Sequence, residues 1–175
     1  IGFGLLFIGL EFLKNSMPNL NENPEIFTFL QNYTDMGYGS YILFMLIGTA
    51  LTILIQSSSA TMALTLVMCA NGWISYDIAA SMVLGENIGT TITANLAAMD
   101  ANTTAKRAAF AHFLFNVFGV TWVLAIFPVF LKWIEELSVF VGIGDPSTNI
   151  EAVPMSLSLF HTVFNVSNVL LLIWF

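Results

Sequence analysis

The chain alternates long apolar stretches with short polar ones. Residues 1–14 are apolar until Glu11 and Lys14 and read as the end of one membrane helix. A polar stretch with Pro18 follows. Asn23-Pro24-Glu25 then marks a helix start: a capping side chain, a proline suited to the first turn, and an acid near the positive helix end. Ile26, Phe29, Leu30 and Tyr33 fall on one face of that helix. Residues 15–35 are therefore expected to form an interfacial loop and a short helix lying on the membrane surface.

Residues 36–76 carry no charge. The run is about twice the roughly 20 residues that one crossing needs. Gln56-Ser57-Ser58-Ser59 nevertheless sits at its middle. One reading is two full spans joined by a turn. The other is a re-entrant hairpin over residues 41–70, with its tip at 56–59. A surface turn draws on charge, glycine or proline, and the tetrapeptide has none. The arms are also short for full crossings at about 1.5 Å per residue. The hairpin is favoured, and it requires the tip to be covered by protein or to line a wet cavity.

Apolar residues 75–99 are interrupted by Gly85-Glu86-Asn87-Ile88-Gly89-Thr90-Thr91, which predicts a broken helix. A polar loop with Lys106 and Arg107 follows. Residues 108–131 predict a spanning helix with Pro128 inside it, residues 132–151 return to water, and residues 152–175 begin a final apolar segment. One short motif, His-x-x-Phe-Asn-Val, occurs at His112 to Val117 and again at His161 to Val166. His and Asn at i and i+4 share a helix face.

Composition fixes the solvent. The 175 residues are 57% hydrophobic and 9% charged, against roughly 25% charged in soluble domains. Such a chain cannot cover a water-facing surface, so it is read as an all-α integral membrane protein. The expected architecture is a helical bundle with a re-entrant helical hairpin and a broken helix, in a single membrane domain over residues 1–175. Both ends lie in apolar sequence, so the native polypeptide is expected to continue in both directions. The net charge is −7 with four Lys and Arg in total, which cannot track a phosphate backbone and excludes nucleic acid as a partner. Cys69 is the single cysteine and has no internal disulfide partner.

Polar groups inside apolar segments are costly unless satisfied, so each needs a reason. A helix break exposes N–H groups at one helix start, which suit an anion, and C=O groups at the other helix end, which suit a cation. Hydroxyls serve either. Gln56, Ser57, Ser58 and Ser59 supply such groups at the first interruption, and Asn87, Thr90 and Thr91 at the second. Two polar breaks in one short apolar chain match the midplane site of a secondary transporter. The plain alternative is helix packing, where small hydroxyl residues are common. It is stronger for Thr90 and Thr91 than for the serine cluster. Glu86 stays open as a pathway carboxylate, a cation partner, or a residue at the mouth of the break. His112 and His161 are read as hydrogen-bonded packing residues rather than ligands.

The segment Gly48-Thr49-Ala50-Leu51-Thr52-Ile53-Leu54-Ile55-Gln56-Ser57-Ser58-Ser59-Ala60-Thr61 resembles the signature of the type II sodium-dependent phosphate cotransporter family. Gly85-Glu86-Asn87-Ile88-Gly89-Thr90-Thr91-Ile92-Thr93-Ala94 resembles its second signature, usually written with Ala or Ser where this chain has Glu86. The His-x-x-Phe-Asn segments and the glycine-rich opening are similar to bacterial members, so the likeness spans nearly the whole chain. It implies one half of an inverted-repeat transporter, the second repeat with flanking helices. It implies that Gln56, Ser57, Ser58 and Ser59 bind substrate, and that Gln56, Ser57, Ser58, Asn87, Thr90 and Thr91 supply sodium sites. Glu86 departs from that pattern and changes the local charge.

The expected function is sodium-coupled uptake of inorganic phosphate by alternating access, in a multi-pass protein of the cell membrane, the bacterial inner membrane. Na+ is the co-transported ion, no organic cofactor is implied, and no enzymatic activity is expected. The other repeat of the same protein, or a second copy of this chain, completes the site. Two alternatives belong to other classes: a non-transporting or regulatory membrane half, and an intramembrane hydrolase with a serine nucleophile and His112 or His161 as base.

Overall fold

A computed structural model describes residues 2–16 and 32–174. Among them every regular element is helical: α1 (Gly2–Ser16), α2 (Tyr38–Ile55), α3 (Ser58–Ala70), α4 (Tyr76–Ala97), α5 (Thr103–Ala125), α6 (Phe127–Phe140) and α7 (Val153–Leu172). A 3-10 turn, Ile150–Ala152, leads into α7. Tyr38–Ile55, Thr103–Ala125 and Ile150–Leu172 are long and apolar enough to cross a membrane. The all-α membrane architecture read from composition is thus the observed one. Most of the interfacial segment expected over 15–35 lies outside the described residues.

The core forms around α4. Ile78, Ala79, Ala80, Ser81, Met82, Val83 and Leu84 have no exposed surface, because α2, α3, α5 and α7 all pack on this helix. Lipid is as apolar as leucine, so close backbone approach and interhelical hydrogen bonds hold such a bundle. Both are present. Thr49 donates to the Gly85 carbonyl at 2.9 Å, tying α2 to α4. Asn95 donates to the Ala109 carbonyl at 2.9 Å, tying α4 to α5. Asn168 donates to the Phe115 carbonyl at 3.1 Å, tying α7 to α5. Phe160 meets the rings of Phe127 and Phe130 edge-on, at 6.2 and 5.6 Å, and seals α6 against α7.

The expected break at residues 85–91 is absent: α4 runs unbroken from Tyr76 to Ala97. Its glycines do other work. A Cβ on Gly85 would collide with the Met45 carbonyl oxygen, and one on Gly48 with the Met82 carbonyl oxygen. A Cβ on Gly89 would lie 2.6 Å from Thr52 Cβ. These glycines let α2 and α4 touch backbone to backbone. The hydroxyls nearby bond back to their own helix, Thr90 to the Glu86 carbonyl at 2.8 Å and Thr91 to the Ile88 carbonyl at 2.7 Å, so the helix stays closed.

The spanning helix expected over 108–131 is also corrected. α5 starts earlier, with Asn102 accepting from the Ala105 N–H at 2.9 Å, and ends at Ala125. Pro128 lies in the first turn of α6 rather than inside a span. Proline lacks an N–H and clashes with the carbonyl four residues back, so the chain restarts the helix where that N–H is not needed. As a result α6 joins residues 127–131, expected within the span, to residues 132–140, expected in water, with Phe127, Phe130, Leu131 and Ile134 buried and Trp133 and Phe140 exposed.

The interruption at the serine cluster is real but narrower than expected. Gln56 ends α2 in the left-handed conformation (φ 57°, ψ 26°), and Ser57 is extended (φ −149°). Ser58 and Ser59 already belong to α3. Tyr41 beside Asp77, Thr49 on Gly85 and Gly89 against Thr52 show α2 running parallel to α4. Thr65 at Glu86, and Cys69 lining a cavity with Asp77, show α3 running the other way. The chain therefore doubles back at Gln56 and Ser57. The arms are unequal: α2 is long enough to cross a membrane, whereas α3 has 13 residues.

Candidate functional site

A cavity of about 500 Å³ opens where the start of α3 meets the middle of α4. Ser58 and Ser59 line it from α3, and Glu86, Asn87 and Thr90 from α4. Four more polar residues complete it, His112 and Asn116 from α5 and His161 and Asn165 from α7. Among the described residues, Glu86 is its one acidic residue and no Lys or Arg lines it.

The local sequence explains how α3 presents its end. Ser57 caps the helix, accepting from the Ala60 N–H at 3.3 Å, and its carbonyl accepts from the Thr61 N–H and hydroxyl at 3.0 Å each. The Ser58 and Ser59 N–H groups belong to the first turn, where a helix has no internal acceptor for them. A helix start with two hydroxyls beside it is a place for an anion. Gln56 is the only non-glycine residue with positive φ among the described residues. That conformation costs about 1–2 kcal/mol for a residue with a Cβ, and such strain tends to persist where function maintains it.

Of the residues singled out in the sequence, Ser58, Ser59, Asn87 and Thr90 share this cavity. Gln56 and Ser57 form the bend beside it and are not part of its lining. Thr91 is fully buried, outside the lining. The sequence reads the two histidines as hydrogen-bonded packing residues, yet both line the cavity, and among the described residues only the His161 ring has a hydrogen bond there, to Asn87 Oδ1 at 3.3 Å. Asn116 and Asn165 belong with them. Each amide donates to the carbonyl of the histidine on its own helix, at 3.0 and 2.8 Å. The repeated His-x-x-Phe-Asn-Val motif was the available signal: two helices carrying the same polar pair present it to one space.

A second cavity, of about 680 Å³, sits at the other end of α4 and gathers Asp35, Asp77 and Glu135. Burial pushes the Glu135 carboxyl above its usual value, with Asp145 and Asp77 adding to the effect. Asp145 itself is held below the usual range by the hydroxyl and N–H of Ser147, at 2.6 and 2.8 Å.

Three helices long and apolar enough to cross a membrane, packed beside a cavity lined by polar side chains, mark a membrane protein. The chain belongs to the Na+/Pi-cotransporter family, which matches residues 19–144. It is 33% identical over 174 residues to "Uncharacterized protein YqeW" of Bacillus subtilis, covering 98% of this chain and 50% of that protein. It is 30% identical over 138 residues to "Putative inorganic phosphate export protein YjbB" of Salmonella typhimurium, covering 79% of this chain and 25% of that protein. It is 40% identical over 89 residues to "Sodium-dependent phosphate transport protein 2C" of Homo sapiens, covering 49% of this chain and 15% of that protein. The chain thus spans half or less of the length of these relatives. No solved structure matches it.

Proposed function

We propose that this chain is one repeat of a sodium-coupled inorganic phosphate transporter, in which Ser58 and Ser59 hold phosphate at the start of α3. The observation that carries the reading is the bend at Gln56 and Ser57, which opens a helix start directly onto a polar cavity. Asn87 and Thr90 supply oxygens for Na+ on the facing helix, and Gln56 and Ser57 set the bend and reach substrate or ion as the cavity changes shape. Thr91 is left out of this set because it is fully buried and does not line the cavity. The bend re-enters rather than crosses the membrane, and a second repeat, in the same polypeptide or in another copy, closes the site. The protein sits in the cell membrane.

Sodium coupling follows from charge. Among the described residues no Lys or Arg lines the cavity, so an anion there depends on bound Na+, hydroxyls and the helix start for its neutralisation. Cotransported Na+ also brings in the membrane potential, about 2.3 kcal/mol per charge at 100 mV. The family membership and the printed names of the relatives support phosphate as the solute. The test is uptake of labelled phosphate by the complete protein in proteoliposomes. Uptake is expected to collapse when Na+ is replaced by K+ or choline, and uptake that persists in K+ rejects the coupling.

A further inference from the structure

The repeated motif brings one histidine from α5 and one from α7 to the same cavity, and the two are not equivalent. Among the described residues the His112 ring has no hydrogen bond, whereas the His161 ring nitrogen Nε2 lies 3.3 Å from Asn87 Oδ1 on α4. The direction of that bond is fixed at its far end. Asn87 Nδ2 donates to the Val83 carbonyl at 2.9 Å. A carbonyl only accepts, so the amide nitrogen faces Val83 and the amide oxygen faces the ring. That oxygen carries no hydrogen, so the ring nitrogen is the donor and His161 has a proton on Nε2.

The Asn87 amide is therefore held at both ends, by its own helix through Nδ2 and by α7 through Oδ1. An amide oxygen has two lone pairs, and the ring takes one. The other is left for a cation. The need to satisfy a buried group does not account for the bond, because both side chains are half-buried and line an open cavity where water can serve either. What the bond adds is a fixed orientation, so that the rotamer freedom of the amide is lost before any ion arrives. α7 is itself anchored at this level. Phe160, the residue before His161, meets Phe127 and Phe130 edge-on, and Asn165 donates to the His161 carbonyl at 2.8 Å.

We propose that His161 is a positioning residue for sodium: its Nε2–H holds Asn87 Oδ1 at the cavity wall, so that α7 tunes the Na+ affinity of a ligand carried by α4. This rests on the sodium-coupled reading above and goes beyond it, since it gives the histidine of α7 a role that phosphate contact does not require and that its counterpart on α5 does not share.

Phosphate uptake by the complete protein in proteoliposomes tests this, read first against Na+ and then against phosphate at saturating Na+. His161→Leu should raise the Na+ concentration for half-maximal uptake about fivefold, the worth of one neutral hydrogen bond, while the half-maximal phosphate concentration moves much less. His161→Gln, whose amide N–H reaches the place of Nε2, should restore the wild-type Na+ dependence, and His161→Asn, one methylene shorter, should not. A folded His161→Leu with wild-type Na+ dependence, equal shifts in both constants, or a glutamine variant that behaves like the leucine one overturns the inference and leaves the sodium reading standing. Wild-type uptake that ignores Na+ overturns both. Should the leucine variant fail to fold, 15N NMR of the wild-type protein, with His161 assigned by labelling it together with Thr162, reads the ring directly. A proton on Nε2 supports the inference, and a proton on Nδ1 alone overturns it.

Discussion

Residues 56–59 and residues 85–91 carry the same kind of signal, polar side chains inside an apolar run, yet only the first breaks the helix. The difference lies in where the polar atoms go. At the first, Ser57 turns its hydroxyl and carbonyl onto the next helix, capping a new start, and Gln56 turns left-handed to reverse the chain. At the second, hydroxyls return to carbonyls three or four residues back and satisfy the helix already present. Glycine there serves packing, since α2 leaves no room for a Cβ. Polarity within an apolar stretch thus marks a place where lipid is excluded, and local hydrogen bonding decides whether the backbone opens.

The sharpest way to break this comparison is to fill the glycine contact. Gly85→Ala is expected to cost about 3 kcal/mol or more, because neither the Met45 carbonyl nor the rigid α2 backbone can retreat. Thermal unfolding in detergent measures it. Gly39→Ala is the control, since its Cβ would meet only the Met36 side chain, at an ordinary 3.5 and 3.9 Å, and a change within about 0.5 kcal/mol is expected. If Gly85 were instead a hinge for a broken helix, alanine would be tolerated there in thermal unfolding and the loss would appear in transport.

The serine bend is tested through function. Replacing both Ser58 and Ser59 with alanine removes hydroxyls facing a charged solute, each worth about 1.5–3 kcal/mol. Phosphate uptake should fall at least roughly tenfold, with little change in the unfolding temperature. Gln56→Gly separates conformation from chemistry. Glycine adopts positive φ freely, so stability should hold or rise by roughly 1 kcal/mol, while loss of the amide lowers uptake. Unchanged uptake would show that Gln56 serves only the bend.

Much of this was legible in the sequence for physical reasons. Membrane character follows from the scarcity of charge, and the bend from four polar residues in a row with no helix-compatible excuse. The site was legible in part: Ser58, Ser59, Asn87 and Thr90 come together, while Gln56, Ser57 and Thr91 stay outside the lining. Two things were hidden. Glycine reads alike whether it frees the backbone or admits a neighbour, and only the proximity of Met45 and Met82 decides for Gly85 and Gly48. Pro128 reads alike inside a kinked span or at a new helix start, and the end of α5 at Ala125 decides.

The smallest expected effect is at Thr91, beside one of the largest. Thr90 and Thr91 are adjacent on α4, and both hydroxyls bond within the helix, but only Thr90 lines the cavity. Thr91→Val keeps the shape and removes a hydroxyl that satisfies only a carbonyl already in the helical ladder. Stability should stay within about 0.5 kcal/mol and uptake should match wild type. Thr90→Val should weaken the dependence of uptake on Na+ concentration, because an oxygen facing the cavity is lost. If the pair behaves the other way round, with Thr91→Val losing sodium dependence at unchanged stability, then α4 must open between them during transport, and the distinction between a helix that breaks and one that stays closed fails at that point.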